Sequence, residues 1–134
     1  MIFLFEDVNP VTVGDIIILD KRKSDFRTKF AIDLVNKNHM FLVVSVSPIT
    51  ICPISSNMSK VVKKYPHNVA ILDWKDANLR KPSYVGTDVS GQIDDDKIYK
   101  TVGRISNRDK LRILKMYFDG EKRIAIENNP IKQD

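Results

Sequence analysis

The 134-residue sequence predicts one small, mainly β domain: a barrel or rolled sheet with a helix plugging one end. Three observations predict it. Short, β-prone apolar runs recur from residue 12 to residue 93, separated by turn residues. One strongly amphipathic helical pattern follows them near the C-terminus. Hydrophobic residues make up 43 % and charged residues 29 % of the chain, which suits a single packed core.

The elements follow in order. Met1-Ile2-Phe3-Leu4-Phe5 is an apolar burst followed at once by Glu6 and Asp7. It has no basic flank and no small-residue cleavage site, so it reads as a strand or an arm packing on the barrel. Thr12 to Asp20 reads as a strand whose run Ile16-Ile17-Ile18-Leu19 is too apolar for an exposed edge. Lys21 to Asn38 reads as a long mobile loop. Phe26, Phe30 and Leu34 also fit a short helix there. His39 to Val46 is a second strand, and Ile49 to Ile54 pairs back as a third after Pro48. Ser55-Ser56-Asn57 turns the chain into a basic loop that ends at Pro66.

A fourth strand is expected from Asn68 to Trp74, and a fifth from Tyr84 to Ile93, with Gly86 and Gly91 marking a bulge or a close approach. Asp94-Asp95-Asp96 ends it. Ser106 is a good helix N-cap, and Asp109 three residues on completes a capping-box-like pair. Leu111, Leu114, Tyr117 and Phe118 then share a face, and Gly120 supplies a stop. Arg123 to Glu127 reads as a further strand, and 128–134 as a frayed tail of the single domain 1–134.

Composition excludes several classes. No apolar run approaches the length that spans a bilayer, so no membrane role is expected. The one cysteine, Cys52, rules out a disulfide framework within the chain and reads as a buried apolar thiol, which suits a cytoplasmic home. No metal-ligand spacing, glycine-rich phosphate loop or nucleophile elbow is present, so neither metal nor cofactor is expected. The net charge of +5 favours a polyanionic partner, with Lys21, Arg22, Lys23, Arg27 and Lys29 in one cluster and Lys60, Lys63 and Lys64 in another. Each cluster taken alone is equally well a solvated loop.

The remaining chemistry sits at strand ends. If the second and third strands form a hairpin, His39 at the start of one lies near Ser55 at the end of the other. A histidine moves protons near neutral pH, and a hydroxyl donates to a phosphate oxygen. A guanidinium or ammonium offsets the charge built up in a phosphorane-like state. These groups suffice for metal-free RNA cleavage by attack of a 2′-hydroxyl. The more common role for a histidine in this setting is a surface residue, and for a serine a turn residue.

Five segments resemble, in order, the motifs of the PemK/MazF toxins. Gly14-Asp15-Ile16-Ile17 is similar to their GDI(I/V) strand. His39-Met40-Phe41-Leu42-Val43-Val44-Ser45 resembles (R)PxVVLS, and Ile51-Cys52-Pro53-Ile54-Ser55-Ser56 resembles VxP(I/C)T(S/T). Ser83-Tyr84-Val85, Asp88 and Ile93-Asp94 are similar to SxV…D…ID, and Val102-Gly103-Arg104-Ile105-Ser106 to xxGxLS. The resemblance implies an SH3-like small β-barrel that forms a homodimer and cuts single-stranded RNA at short sequences. It also implies a cognate acidic antitoxin protein that covers the RNA groove.

The family's catalytic threonine falls on Ser55, which keeps the hydroxyl. Its catalytic arginine falls on His39, a departure that loses a fixed bidentate cation. Arg27 is then the candidate to supply that charge, with Arg22 and Arg104 as alternatives. The expected catalytic set is His39, Ser55 and Arg27, and the expected RNA-binding set is Arg22, Lys23, Lys29, Ser56, Lys60 and Arg104. Phe26 and Tyr65 are candidates to stack on bases. Two other readings stay open: a non-catalytic nucleic-acid- or protein-binding module on the same barrel, and a structural phage or mobile-element protein.

Overall fold

The computed structural model describes residues 10–20, 39–56 and 66–128, and of 123–128 the backbone alone. Among these residues the strands are β1 (Asp15–Leu19), β2 (Met40–Val46), β3 (Ile49–Ser55), β4 (Asn68–Ile71), β5 (Ser83–Gly86), β6 (Gly91–Gln92) and β7 (Ile98–Arg104). A 3-10 turn at Asp95–Lys97 precedes β7, and helix α1 (Asn107–Asn128) follows it. The strands form one sheet in the order β4-β5-β3-β2-β1-β7, with β6 pairing β3 alongside β5. Every pairing is antiparallel.

The sheet is buried on both faces. Ile16, Leu42, Val44, Cys52, Ile54 and Val85 pack with Ile113 and Tyr117 of α1. Ile17, Leu19, Phe41, Val43 and Ile51 point to the other face, where Ile93 and Ile98 cover them. Strands buried on both sides cannot alternate apolar with polar residues. That is why Ile16-Ile17-Ile18-Leu19 and Phe41-Leu42-Val43-Val44 read as continuous apolar runs. Phe41, Ile16, Ile17, Leu42, Val43 and Ile51 are all fully buried.

The roll is not closed by a strand ladder. The outermost strands, β4 and β7, are not hydrogen-bonded to each other. The segment after β4 bridges them instead. Asn78, in the left-handed region at φ 66°, donates its side-chain amide to the Val102 carbonyl at 2.8 Å. Ala77 presses its carbonyl against Gly103 so closely that a Cβ there would lie 2.1 Å from it. The closed SH3-like barrel that was expected is here an antiparallel sheet whose edges are joined by this segment, with one C-terminal helix.

Other expectations need correcting. The fourth strand stops at Ile71, because the Leu72 and Asp73 N–H groups turn to the Asp109 carboxylate, at 3.0 and 2.8 Å. The expected fifth strand is two, β5 and β6, interrupted at 87–90. Strand β7 was not foreseen; its last residues were read only as part of a motif. Two register shifts break its pairing with β1, and Tyr99, Lys100 and Thr101 are all exposed, so no alternation is visible.

The helix does not stop at Gly120 but continues to Asn128, so the strand expected over 123–127 is helical. An internal glycine costs only about 1 kcal/mol relative to alanine. Burial of Ile113 and Tyr117 anchors the turns before it. The N-terminal run 1–9, the segment 21–38, the basic loop 57–65 and the tail 129–134 lie outside the described residues.

Candidate active site

The register of β2 on β3 pairs Met40 with Ile54 and Phe41 with Pro53. One step further along the same register, His39 stands opposite Ser55. Directly opposed residues of an antiparallel pair hold their Cβ atoms about 5 Å apart. Parity sets the face. His39 is in phase with Phe41 and Val43, and Ser55 with Pro53 and Ile51, so both belong to the face opposite α1. The row continues across the sheet, because Ser55 pairs with Tyr84 and Tyr84 with Ala70. His39, Ser55, Tyr84 and Ala70 are all half-buried. This row therefore holds an imidazole, a hydroxyl and a phenol at one end of four adjacent strands.

Segment 21–38 leaves β1 after Asp20 and returns at His39, so its ends flank this row. Arg22, Lys23, Arg27, Lys29 and Phe26 fall within it, and Lys60 and Tyr65 within 57–65; all lie outside the described residues. Ser56 is exposed, directly after Ser55.

Arg104 is not in the row. Its Nε donates to Asp15 Oδ1 at 2.9 Å. Met40 pairs with Ile18, so the His39 row meets the far end of β1 from Asp15, about 13 Å away at the usual rise per residue. Asp15 also accepts from the Thr12 N–H at 2.8 Å and the Thr12 hydroxyl at 3.1 Å. The Gly14 that precedes it needs its glycine, at φ 98°. Arg104 thus ties β7 to the start of β1 while most of its side chain, 64 % exposed, faces solvent.

Two polar clusters that the sequence did not bring together lie outside the row. His67 donates its N–H to Asp88 Oδ2 at 2.8 Å, and its Nδ1 lies 2.6 Å from Asp88 Oδ1. Thr87 donates its hydroxyl to the His67 carbonyl. These contacts bind the start of β4 to the end of β5, three residues along from Ala70. Residues 21 apart in sequence carry no local signal for such a pair. At the helix start, Arg108 grips Asp73 with two hydrogen bonds, at 2.7 and 2.6 Å, and Ser106 donates to the same carboxylate at 2.5 Å. These bonds hold the Asp73 carboxyl below its usual range, at about 2. Tyr84 was read as the start of the fifth strand and as part of a motif, not as a site residue. Its flanks, Ser83 and Val85, are buried, and that alternation is the signal that turns it to the other face.

Cys52 is buried against α1, and desolvation, with lesser repulsion from Glu121 and Asp88, pushes its thiol up to about 12. It stays protonated at neutral pH and contributes packing, not nucleophilicity.

Residues 12–116 match the profile of a family described as PemK-like, MazF-like toxin of type II toxin-antitoxin system. Two proteins described as mycobacterial are among the solved structures that share the fold. One is described as an endoribonuclease from Mycobacterial species: 13 % identity, 85 % of this chain and 93 % of that one covered, TM-score 0.58. The other is the Mycobacterium tuberculosis toxin MazF-mt6: 16 % identity, 81 % and 96 % covered, TM-score 0.55. No curated protein matches the chain in sequence.

Proposed function

Because this chain belongs to the PemK-like, MazF-like toxin family of type II toxin-antitoxin systems, we propose that it is a toxin that cuts single-stranded RNA at short sequences without a metal ion. What supports the reading is the β2–β3 register, with Met40 opposite Ile54, which extended by one residue sets His39 across from Ser55. His39 accepts the proton of the 2′-hydroxyl as its oxygen bonds to the adjacent phosphorus. The bond from phosphorus to the 5′-oxygen then breaks, and that oxygen takes up a proton. The products are a 2′,3′-cyclic phosphate and a free 5′-hydroxyl. Ser55 donates a hydrogen bond to a non-bridging oxygen, and Arg27 supplies the fixed positive charge that His39 lacks. Ser56, the lysines and arginines of the basic segments, and Arg104 hold neighbouring phosphates.

The protein acts as a cytoplasmic homodimer and is neutralised by an acidic antitoxin. The test is incubation of RNA with the protein in EDTA, beside His39→Ala, Ser55→Ala and Arg27→Ala. Cleavage that falls by about 10²-fold or more in the first two variants supports the enzyme. One observation favours a second reading, a non-catalytic binder: the family arginine is His39 here. Intact RNA with a salt-sensitive gel shift would support the binder over the enzyme.

A further inference from the structure

By register, the row that holds His39 crosses the sheet from β7 to β4. On one side Leu19 pairs with Ile98 of β7, and the β1–β2 register, with Ile18 opposite Met40, extended by one residue sets Leu19 across from His39. On the other side Ser55 pairs with Tyr84, and Tyr84 with Ala70. The two directions differ in chemistry. Towards β7 the row meets Leu19, only 1 % exposed, and then Ile98, a wall of an open groove that Asp95 and Asp96 also line. Those carboxylates repel phosphate. Towards β4 the row ends at Ala70, whose carbonyl accepts a hydrogen bond from Arg112 Nη1 at 3.0 Å. The Arg112 side chain is 40 % exposed, and its partner Asp109 is fully buried. A polyanion laid over the row is favoured on the β5–β4 side.

Tyr84 stands on that side, and the described fold makes little use of its ring. It is half-buried but belongs to neither apolar cluster. Among the described residues its phenol has no hydrogen-bond partner and its ring no aromatic partner. Its cross-strand neighbours, Ser55 and Ala70, are both small. A ring between two small neighbours keeps a face open on which a base can stack. Adjacent strands lie about 4.8 Å apart, so Tyr84 is one strand spacing from Ser55, within reach of a base next to a phosphate held there.

Building on the RNA-cleaving reading above, we propose that Tyr84 is the stacking platform for one of the two bases that flank the phosphate held at His39 and Ser55. The single strand then runs from His39 over β3 and β5 towards the edge of β4.

The test compares Tyr84→Phe, which keeps the aromatic face, with Tyr84→Leu, which keeps apolar bulk without it. Binding is read by fluorescence anisotropy with a labelled random-sequence 2′-O-methyl RNA of about twelve nucleotides, which lacks the attacking hydroxyl. Tyr84→Phe is expected to bind within about threefold of wild type, and Tyr84→Leu about tenfold or more weaker. In a second arm, an RNA that the protein cuts is remade with an abasic site on one side of the cut or the other. At one of the two positions the missing base is expected to lower kcat/KM of wild type and Tyr84→Phe by about tenfold, and that of Tyr84→Leu little further. A Tyr84→Leu protein that binds and cuts as wild type does overturns the proposal and leaves the nuclease reading standing. Wild-type cleavage indifferent to both abasic positions overturns it too, whatever the variants do. Binding that depends on Tyr84 without any cleavage supports the platform and ends the nuclease reading. No binding by the wild-type protein overturns both.

Discussion

Replacing Asp109 with alanine tests how the sheet is held to its helix. The Asp109 side chain is fully buried, and its carboxylate takes three hydrogen bonds: from the N–H groups of Leu72 and Asp73, at 3.0 and 2.8 Å, and from Arg112 at 3.0 Å. Ser106 caps the helix as the sequence suggested, its Oγ accepting the Asp109 N–H at 3.3 Å. The other half of the capping box is redirected, since the Asp109 carboxylate reaches out to the segment that leaves β4. Alanine strands those two N–H donors, while Arg112 keeps its hydrogen bond to the Ala70 carbonyl at 3.0 Å and its access to solvent. An unsatisfied buried donor costs about 1–3 kcal/mol. Leu72 is half exposed, so water recovers part of that, and the expected loss is about 3 kcal/mol. For a chain of this size that lowers the melting temperature by on the order of 10 °C. Urea unfolding followed by circular dichroism reads the free energy directly. Asp109→Asn, which keeps one acceptor oxygen, is expected to lose less. Leu111→Ala, at a side chain 72 % exposed, is expected to stay within about 0.5 kcal/mol of wild type. An Asp109→Ala protein as stable as Leu111→Ala would refute the reasoning.

Three further outcomes are expected. Gly103→Ala drives a Cβ into the Ala77 carbonyl and displaces the bridging segment; a loss of roughly 1–3 kcal/mol is expected by urea unfolding. Asp73 has a folded pKa of about 2 against an ordinary value of 3.8, so its stabilising contribution is complete above about pH 4 and is lost as pH falls towards 2. Asp73→Asn should therefore flatten the acid limb of a stability–pH curve measured from pH 5 to pH 2, and an unchanged limb would contradict the assignment. If His39 is the proton acceptor, His39→Gln, which keeps similar size but not the basic ring, should cut RNA cleavage by about 10²-fold or more; cleavage at the wild-type rate counts against His39.

The sequence made the strands that carry the site legible and left the closure of the sheet illegible, for physical reasons. Strands β2 and β3 stand within a residue of their expected bounds, because continuous β-prone runs flanked by turn residues have few alternatives. That these two runs pair as an antiparallel hairpin followed from them alone. Strand β7 is an edge strand with register shifts and exposed residues of both parities, so it lacks any periodic signature. The length of α1 was misjudged because Gly120 carries a local preference that core packing at Ile113 and Tyr117 overrides. The bridge across 72–80 depends on Asp73, Ala77, Asn78 and Asp109 meeting residues 24 to 37 positions away, which no local pattern encodes.

The matching motifs divide into two kinds once their residues are located. Gly14 is required by its backbone angle, Asp15 anchors the start of β1 to Thr12 and Arg104, Gly103 makes room for Ala77, and Ser106 caps α1. These residues hold the sheet and helix together, whatever the protein does. His39 and Ser55 are of the other kind: half-buried at strand ends, and outside both apolar clusters. If the row is the proposed site, a chain can keep every architectural motif while carrying a histidine where the family motif has arginine, because that position then serves the chemistry rather than the fold. The exchange gives up a permanent bidentate cation. On the proposed mechanism, phosphate charge is then met by a separate residue and proton transfer falls to the His39 row, a division of labour that a site built on a single arginine would not need.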